Sequence, residues 1–232
     1  MSRIRYAALV LTVGAGAFAV LGVDLAIEVG WRGAVAPWTI AAAHVVIALG
    51  AAYDRTWARW LGMGLGLFWS AAALMPEVSP IDVAAPHPTL DGEVVRWALV
   101  LLHAPLPLLL ARPDAAHART SVSLLVMGVA LIPALGLTAS GILGLEPRWV
   151  PLAFGAVVVL GTIGLARDRT WGLLVIGAAG LALFFSGGDV LGASSGPAGL
   201  ASDEAPLLGL LLVVAALPFA RPIADSLMPR PR

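Results

Sequence analysis

Apolar residues run along the chain in eight long blocks, roughly 6–28, 35–53, 59–75, 94–111, 120–145, 149–166, 171–187 and 206–220, with polar and helix-breaking residues gathered between them. A helix that crosses a bilayer needs about 20 mostly apolar residues. The pattern therefore predicts an all-α polytopic membrane protein of about eight transmembrane helices, with sequential helices antiparallel across short connections.

The polar residues between the blocks sort by side. With the N-terminus placed in the cytoplasm, one side of the bilayer holds Arg3, Arg5, Arg55, Arg59, Arg112, Arg119, Arg167, Arg169, Arg221, Arg230 and Arg232, and the other holds Arg32, Arg96 and Arg148. This positive-inside bias predicts that both termini are cytoplasmic. Trp31, Trp38, Trp97 and Trp149 then fall at the outer boundary and Trp57, Trp60 and Trp171 at the inner one, where amphipathic rings settle. Arg3 and Arg5 before an apolar run also fit a signal peptide. The run, broken only by Asp24, continues to Ile27, so a first spanning helix is expected instead. Two longer loops, 76–93 (Pro-rich) and 188–205 (rich in Gly and Ser), are expected outside. Acidic residues outnumber Arg on that side, which draws cations to the surface.

One tetrapeptide occurs twice. Asp54-Arg55-Thr56-Trp57 returns as Asp168-Arg169-Thr170-Trp171, and the same offset aligns Gly14 with Gly128, Pro37 with Pro151, Gly50 with Gly164 and Gly66 with Gly180. The expectation is a tandem duplication within one membrane domain: residues 1–115 as a first four-helix half and 116–232 as a second. An even number of helices per half keeps the two halves in the same orientation. Gly50 followed by Asp54-Arg55 resembles the Gly-x-x-x-Asp-Arg loop motif of major facilitator transporters, which also falls after the second helix. Such transporters have longer chains with six-helix halves, which this sequence lacks. The plainer reading is that Asp or Thr caps the next helix, Arg follows the positive-inside rule and Trp anchors at the interface.

Composition narrows the chemistry. The chain has 232 residues, 59% hydrophobic and 12% charged, with zero formal net charge and no cysteine; its mean hydropathy is +0.93. The charge balance points away from nucleic acid, and the absence of Cys removes disulfides and thiolate chemistry. No nucleophile elbow, Walker loop, His-Glu-x-x-His or dinucleotide fingerprint is present, so familiar hydrolases and nucleotide enzymes are not indicated. With Ala, Gly and Pro abundant and every basic residue an Arg, the composition fits a bacterial cytoplasmic membrane protein.

Four residues stand out as candidate binding residues. Asp24 and Glu28, one helical turn apart, lie near the outer end of the first helix and are expected to share a face toward the interior, as a cation or proton site or as an acidic end reaching water. His44 and His103 sit at similar depth in the second and fourth helices, where they could ligate a b-type haem, bind a metal, relay a proton or bond a neighbouring Ser, Thr or carbonyl. His103-Ala104-Pro105-Leu106-Pro107 predicts an opened helix at that depth. Gly62, Gly64 and Gly66 predict close helix packing, and His87, between Asp82 and Asp91, is a weaker metal candidate. The sequence favours an accessory or scaffold subunit of a larger membrane complex, in contact with lipid and other membrane subunits. A small cation- or proton-linked transporter and a haem or other redox protein are the alternatives.

Overall fold

The computed structural model describes residues 3–32, 34–72, 92–111, 118–143, 149–167, 169–190 and 204–219. Among the described residues the chain is entirely helical: α1 (Arg3–Val29), α2 (Val35–Ala52), α3 (Thr56–Ala72), α4 (Gly92–His103), α5 (Leu106–Leu110), α6 (Ala118–Leu143), α7 (Trp149–Ala166), α8 (Thr170–Val190) and α9 (Glu204–Ala216), closed by a 3-10 turn at Leu217–Phe219. Loops 76–93 and 188–205 lie largely, and His87 wholly, outside the described residues.

Local chemistry sets the boundaries. Gly30, with φ of 89°, ends α1 in the left-handed region that glycine enters at least cost. Pro37 and Pro151 both stand at the third residue of their helices, in the first turn, where a missing N–H breaks no intrahelical bond. The expected opening of the fourth block is present. α4 ends at His103 and the chain resumes as α5 at Leu106, because Pro107 cannot donate to the His103 carbonyl. Pro133, by contrast, is accommodated inside α6.

The repeated tetrapeptide builds a helix corner. Asp54 takes φ of 58°, and the Arg55 and Asp54 amides donate to the Gly50 and Ala51 carbonyls, both at 2.9 Å. These are the two bonds of a Schellman motif, with Asp in the left-handed position usually held by glycine. The Asp54 carboxylate accepts a hydrogen bond from the Arg59 guanidinium. The Arg169 amide likewise donates to the Gly164 carbonyl at 2.9 Å between α7 and α8. Trp57 and Trp171 each lie over the glycine of their corner. A Cβ on Gly50 would come within 2.6 Å of the Trp57 ring, and one on Gly164 within 2.8 Å of the Trp171 ring.

α1 packs on α2, and α3 on α2, α4 and α5; α6 packs on α7 and α9, and α8 on α7 and α9. The two groups meet chiefly where α3 crosses α6. There, a Cβ on Gly64 would stand 2.7 Å from the Gly128 Cα, so the helices touch backbone to backbone. Gly62 and Gly66, on a neighbouring face of α3, admit Leu110 and Pro107 of α5.

Large apolar residues also lie on the surface of the described helices. α1 buries Ala7, Val10, Leu11, Ala15 and Phe18 while exposing Leu9, Val13, Val20, Val23 and Ile27. Among the described residues two helices, α1 over Arg3–Glu28 and α2 over Val35–Ala52, are long and apolar enough to cross a membrane.

Candidate functional site: a buried histidine pair

α2 carries His44 and the last residue of α4 is His103; both are fully buried. Their Nε2 atoms are 3.0 Å apart, a hydrogen-bond distance, with the rings nearly perpendicular at 74°. Each Nδ1 is fixed by its own helix: His44 Nδ1 lies 2.8 Å from the Ile40 carbonyl oxygen, and His103 Nδ1 lies 2.7 Å from that of Leu99.

Counting protons over this geometry decides its chemistry. A carbonyl oxygen only accepts, so each Nδ1 donates and carries a hydrogen. The Nε2–Nε2 contact then needs one more proton, shared between the rings. Two neutral imidazoles have only two protons. With both at Nδ1, two lone pairs face each other at 3.0 Å; with one moved to Nε2, a ring lone pair faces a carbonyl. Every nitrogen is satisfied only with three protons on the pair, a state that would carry one positive charge and that burial opposes.

The surroundings are aromatic and exclude water, so burial works against a charge here while the ring faces offset part of that cost. Trp69, fully buried, stacks on His103 with ring centroids 5.5 Å apart and planes 27° from parallel. Phe18 lies 5.2 Å from His44 and 5.6 Å from Trp69. An aromatic face near a cation contributes about 0.5–2 kcal/mol, more as water is excluded. Gly14 closes the site from α1: a Cβ there would come within 2.7 Å of His103 Nε2 and 3.1 Å of His44 Cδ2. The pair can meet because α1 offers no side chain at that level.

Haem does not fit. Ligand nitrogens bind metals at about 2.0–2.1 Å, so axial histidines on opposite faces of a macrocycle hold their nitrogens about 4 Å apart with the ring between them. Here the nitrogens are in direct contact, and Phe18, Trp69 and Gly14 line the remaining space. Among the described residues no group of three or more His, Asp, Glu or Cys side chains could hold a metal ion.

The acidic pair stands elsewhere. Asp24 is ten residues beyond Gly14, about 15 Å along α1, too far for one bridging water to reach the histidines. Asp24 is half-buried but Glu28 is exposed, so the expectation that both face the interior is corrected. Glu28 is the penultimate residue of α1, just before the Gly30 turn, where the helix leaves its partners.

Sequence reasoning found both histidines and the break after His103. It missed Trp69, Phe18 and Gly14, which read as ordinary apolar positions. A signal was present: at the 114-residue offset Trp69 aligns with Leu183 and Phe18 with Ile132, as His44 aligns with Val158. Other aromatic positions change at this offset as well, among them Trp38 with Leu152 and Trp60 with Leu174, so the signal becomes specific only with the structure. No family model, curated protein or solved structure matches the chain.

Proposed function

We propose that the chain is a polytopic membrane protein of about eight spanning helices, with both termini cytoplasmic, that binds and passes a proton at the His44–His103 pair. The apolar outer surface supports the membrane reading. Leu9, Val20, Ile27, Val46, Leu49, Leu101, Leu108, Leu160, Leu174 and Phe185 are exposed on helices from α1 to α8, an area that a water-soluble surface does not carry. The placement of Arg supports the orientation. The two like-built corners, with their Arg-to-Gly hydrogen bonds and glycine-seated Trp rings, support a tandem duplication of a four-helix unit.

The observation that carries the functional reading is the 3.0 Å Nε2–Nε2 contact between two rings whose other nitrogens are already committed to carbonyls. Ionisable groups at membrane depth are costly and mark proton relays when they pair with one another. Reconstitution of the full chain into vesicles holding a pH-sensitive dye tests this. Under an imposed potential, the wild type is expected to move protons, and His44→Gln and His103→Gln to stop doing so. Flux no greater than in empty vesicles, or unchanged in both variants, would refute it.

A second reading, a scaffold subunit, is favoured by α8. The α3 positions that are buried beside α6, Leu61, Gly64 and Phe68, align with Val175, Ala178 and Ala182, of which Ala178 and Ala182 are exposed. A further membrane helix could seat on this small-residue face as α6 seats on α3. Loss of a stoichiometric membrane partner on Ala178→Leu is the expected result under that reading.

A further inference from the structure

At the Arg-rich end of the bundle, α3, α6 and the end of α7 enclose a cleft of about 200 Å³ lined by Arg55, Thr56, Trp57, Thr120, Ser121, Leu124 and Ala166. Its chemistry is one-sided. Among the described residues no acidic side chain lines it, and Asp54, next to Arg55, is engaged by Arg59. Arg55 is exposed at its mouth, and Arg167, also exposed, directly follows Ala166.

Two helices begin here. Thr56 is the first residue of α3, and Thr120 and Ser121 are in the first turn of α6. Each first turn leaves backbone N–H groups without intrahelical acceptors and presents the positive end of a helix dipole. An independent observation comes from Ser121. It is only 2% exposed, its hydroxyl has no hydrogen-bond partner among the described residues, and it lines this cleft. A buried hydroxyl without a partner is destabilising, and one placed between two helix starts and an arginine has the chemistry to donate to an anion.

We propose that this cleft is a binding site for a phosphate group, carried by a lipid headgroup or free in solution. Arg55 supplies the charge, Thr56, Thr120 and Ser121 supply hydroxyl donors, and the α3 and α6 starts supply backbone donors. The volume is below that of pockets for drug-sized molecules and suits a small polar group. The cleft lies between the starts of α3 and α6. The aligned corner at Arg169 and Trp171 opens α8, which packs on α7 and α9 instead. The proposal is independent of the histidine pair.

The test uses the full chain in a neutral detergent. Phosphorus NMR line broadening is measured with sodium phosphate in one arm and short-chain phosphatidylglycerol in the other. The wild type should bind in at least one arm: binding of sodium phosphate assigns a free anion, and binding of the lipid alone assigns a headgroup. Arg55→Gln should weaken binding about tenfold, and Ser121→Ala about threefold, as loss of a charged and a neutral donor implies. Without ligand, Ser121→Ala should keep or raise the unfolding temperature, since it removes an unsatisfied hydroxyl, so weaker binding cannot be ascribed to misfolding. Arg169→Gln, on the aligned corner, should bind as wild type. The proposal is overturned by absence of binding in both arms, by equal weakening from Arg55→Gln and Arg169→Gln, or by Ser121→Ala binding as wild type.

Discussion

At the offset that aligns the two corners, Phe18, His44 and Trp69 of residues 3–111 fall on Ile132, Val158 and Leu183 of residues 118–219. All six are buried. In the earlier region they form one aromatic and ionisable centre, with His103 added from α4. In the later region the positions are aliphatic, and the stretch near Leu212 offers no histidine. Helices of similar length, and corners that share an Arg-to-Gly hydrogen bond and a Trp ring over a glycine, thus hold a polar centre in one region and plain packing in the other. The frame does not require the histidines, which is the strongest argument that they are present for chemistry.

The aligned glycines give the sharpest way to break this comparison. Gly14 and Gly128 share a sequence position but face different neighbours. A Cβ on Gly128 meets backbone of α3, including the Gly64 Cα at 2.9 Å, and backbone cannot step aside. Gly128→Ala should therefore destabilise the protein by about 3 kcal/mol or more, at the upper end for overpacking, read as a fall in the detergent unfolding midpoint. A Cβ on Gly14 meets the His103 ring, which can rotate. Gly14→Ala should cost less stability yet abolish proton flux. Equal effects of the two on stability and flux would mean that the regions do not differ as argued.

The histidines come next in size. His44→Val leaves His103 Nε2 buried without a partner, at a cost of about 1–3 kcal/mol. The double variant His44→Val, His103→Leu gives the first centre the aliphatic character of the second and leaves no polar group stranded. It should be about as stable as wild type, or more so, and carry no flux. If the double variant is far less stable than the single one, the pair is a structural pin rather than a proton site.

What could be read from the sequence follows from where each signal resides. The helices, the opening after His103 and the recurring tetrapeptide were legible because each depends on local chain chemistry: apolar length, a missing proline N–H, a four-residue identity. The depth match of His44 and His103 was legible because both are polar residues in apolar runs. Trp69 and Phe18 were not, because apolar residues are exposed as well as buried on their helices and an apolar position does not by itself reveal which side it faces. The crossing of α3 on α6 is equally silent, since nothing in Gly64 or Gly128 names its partner. Glu28 was misjudged because its spacing from Asp24 fixes a shared face but not which way that face turns at a helix end.

Trp69→Leu installs the residue of the aligned position and tests the aromatic part of the contrast. Losing the stacked ring removes about 0.5–2 kcal/mol of cation–aromatic attraction. The protein should fold, while the shared Nε2 proton, followed by nitrogen NMR of labelled histidine, should be retained less well. Proton flux should fall by about two- to thirtyfold without vanishing. An unchanged histidine spectrum would reduce Trp69 to packing.

The smallest expected effect lies at the corners, where the regions look most alike. The Arg59 position aligns with Leu173, so the later corner carries no guanidinium at the aligned place. Asp54 holds a left-handed backbone conformation that Asn also enters readily. Asp54→Asn therefore keeps the turn and removes only the charge. Its side chain is about half exposed, at 53%, and a pair screened by solvent contributes about 0.2–1 kcal/mol. The variant should lower the unfolding midpoint slightly at low salt, and the difference should shrink at high salt as screening removes what the wild type had gained. Proton flux should not change, because the corner is remote from the histidines along α2: Asp54 is ten residues, about 15 Å, from His44. A large loss of stability would show that this carboxylate holds the corner together, and the two corners would then differ in construction as well as in the centres they support.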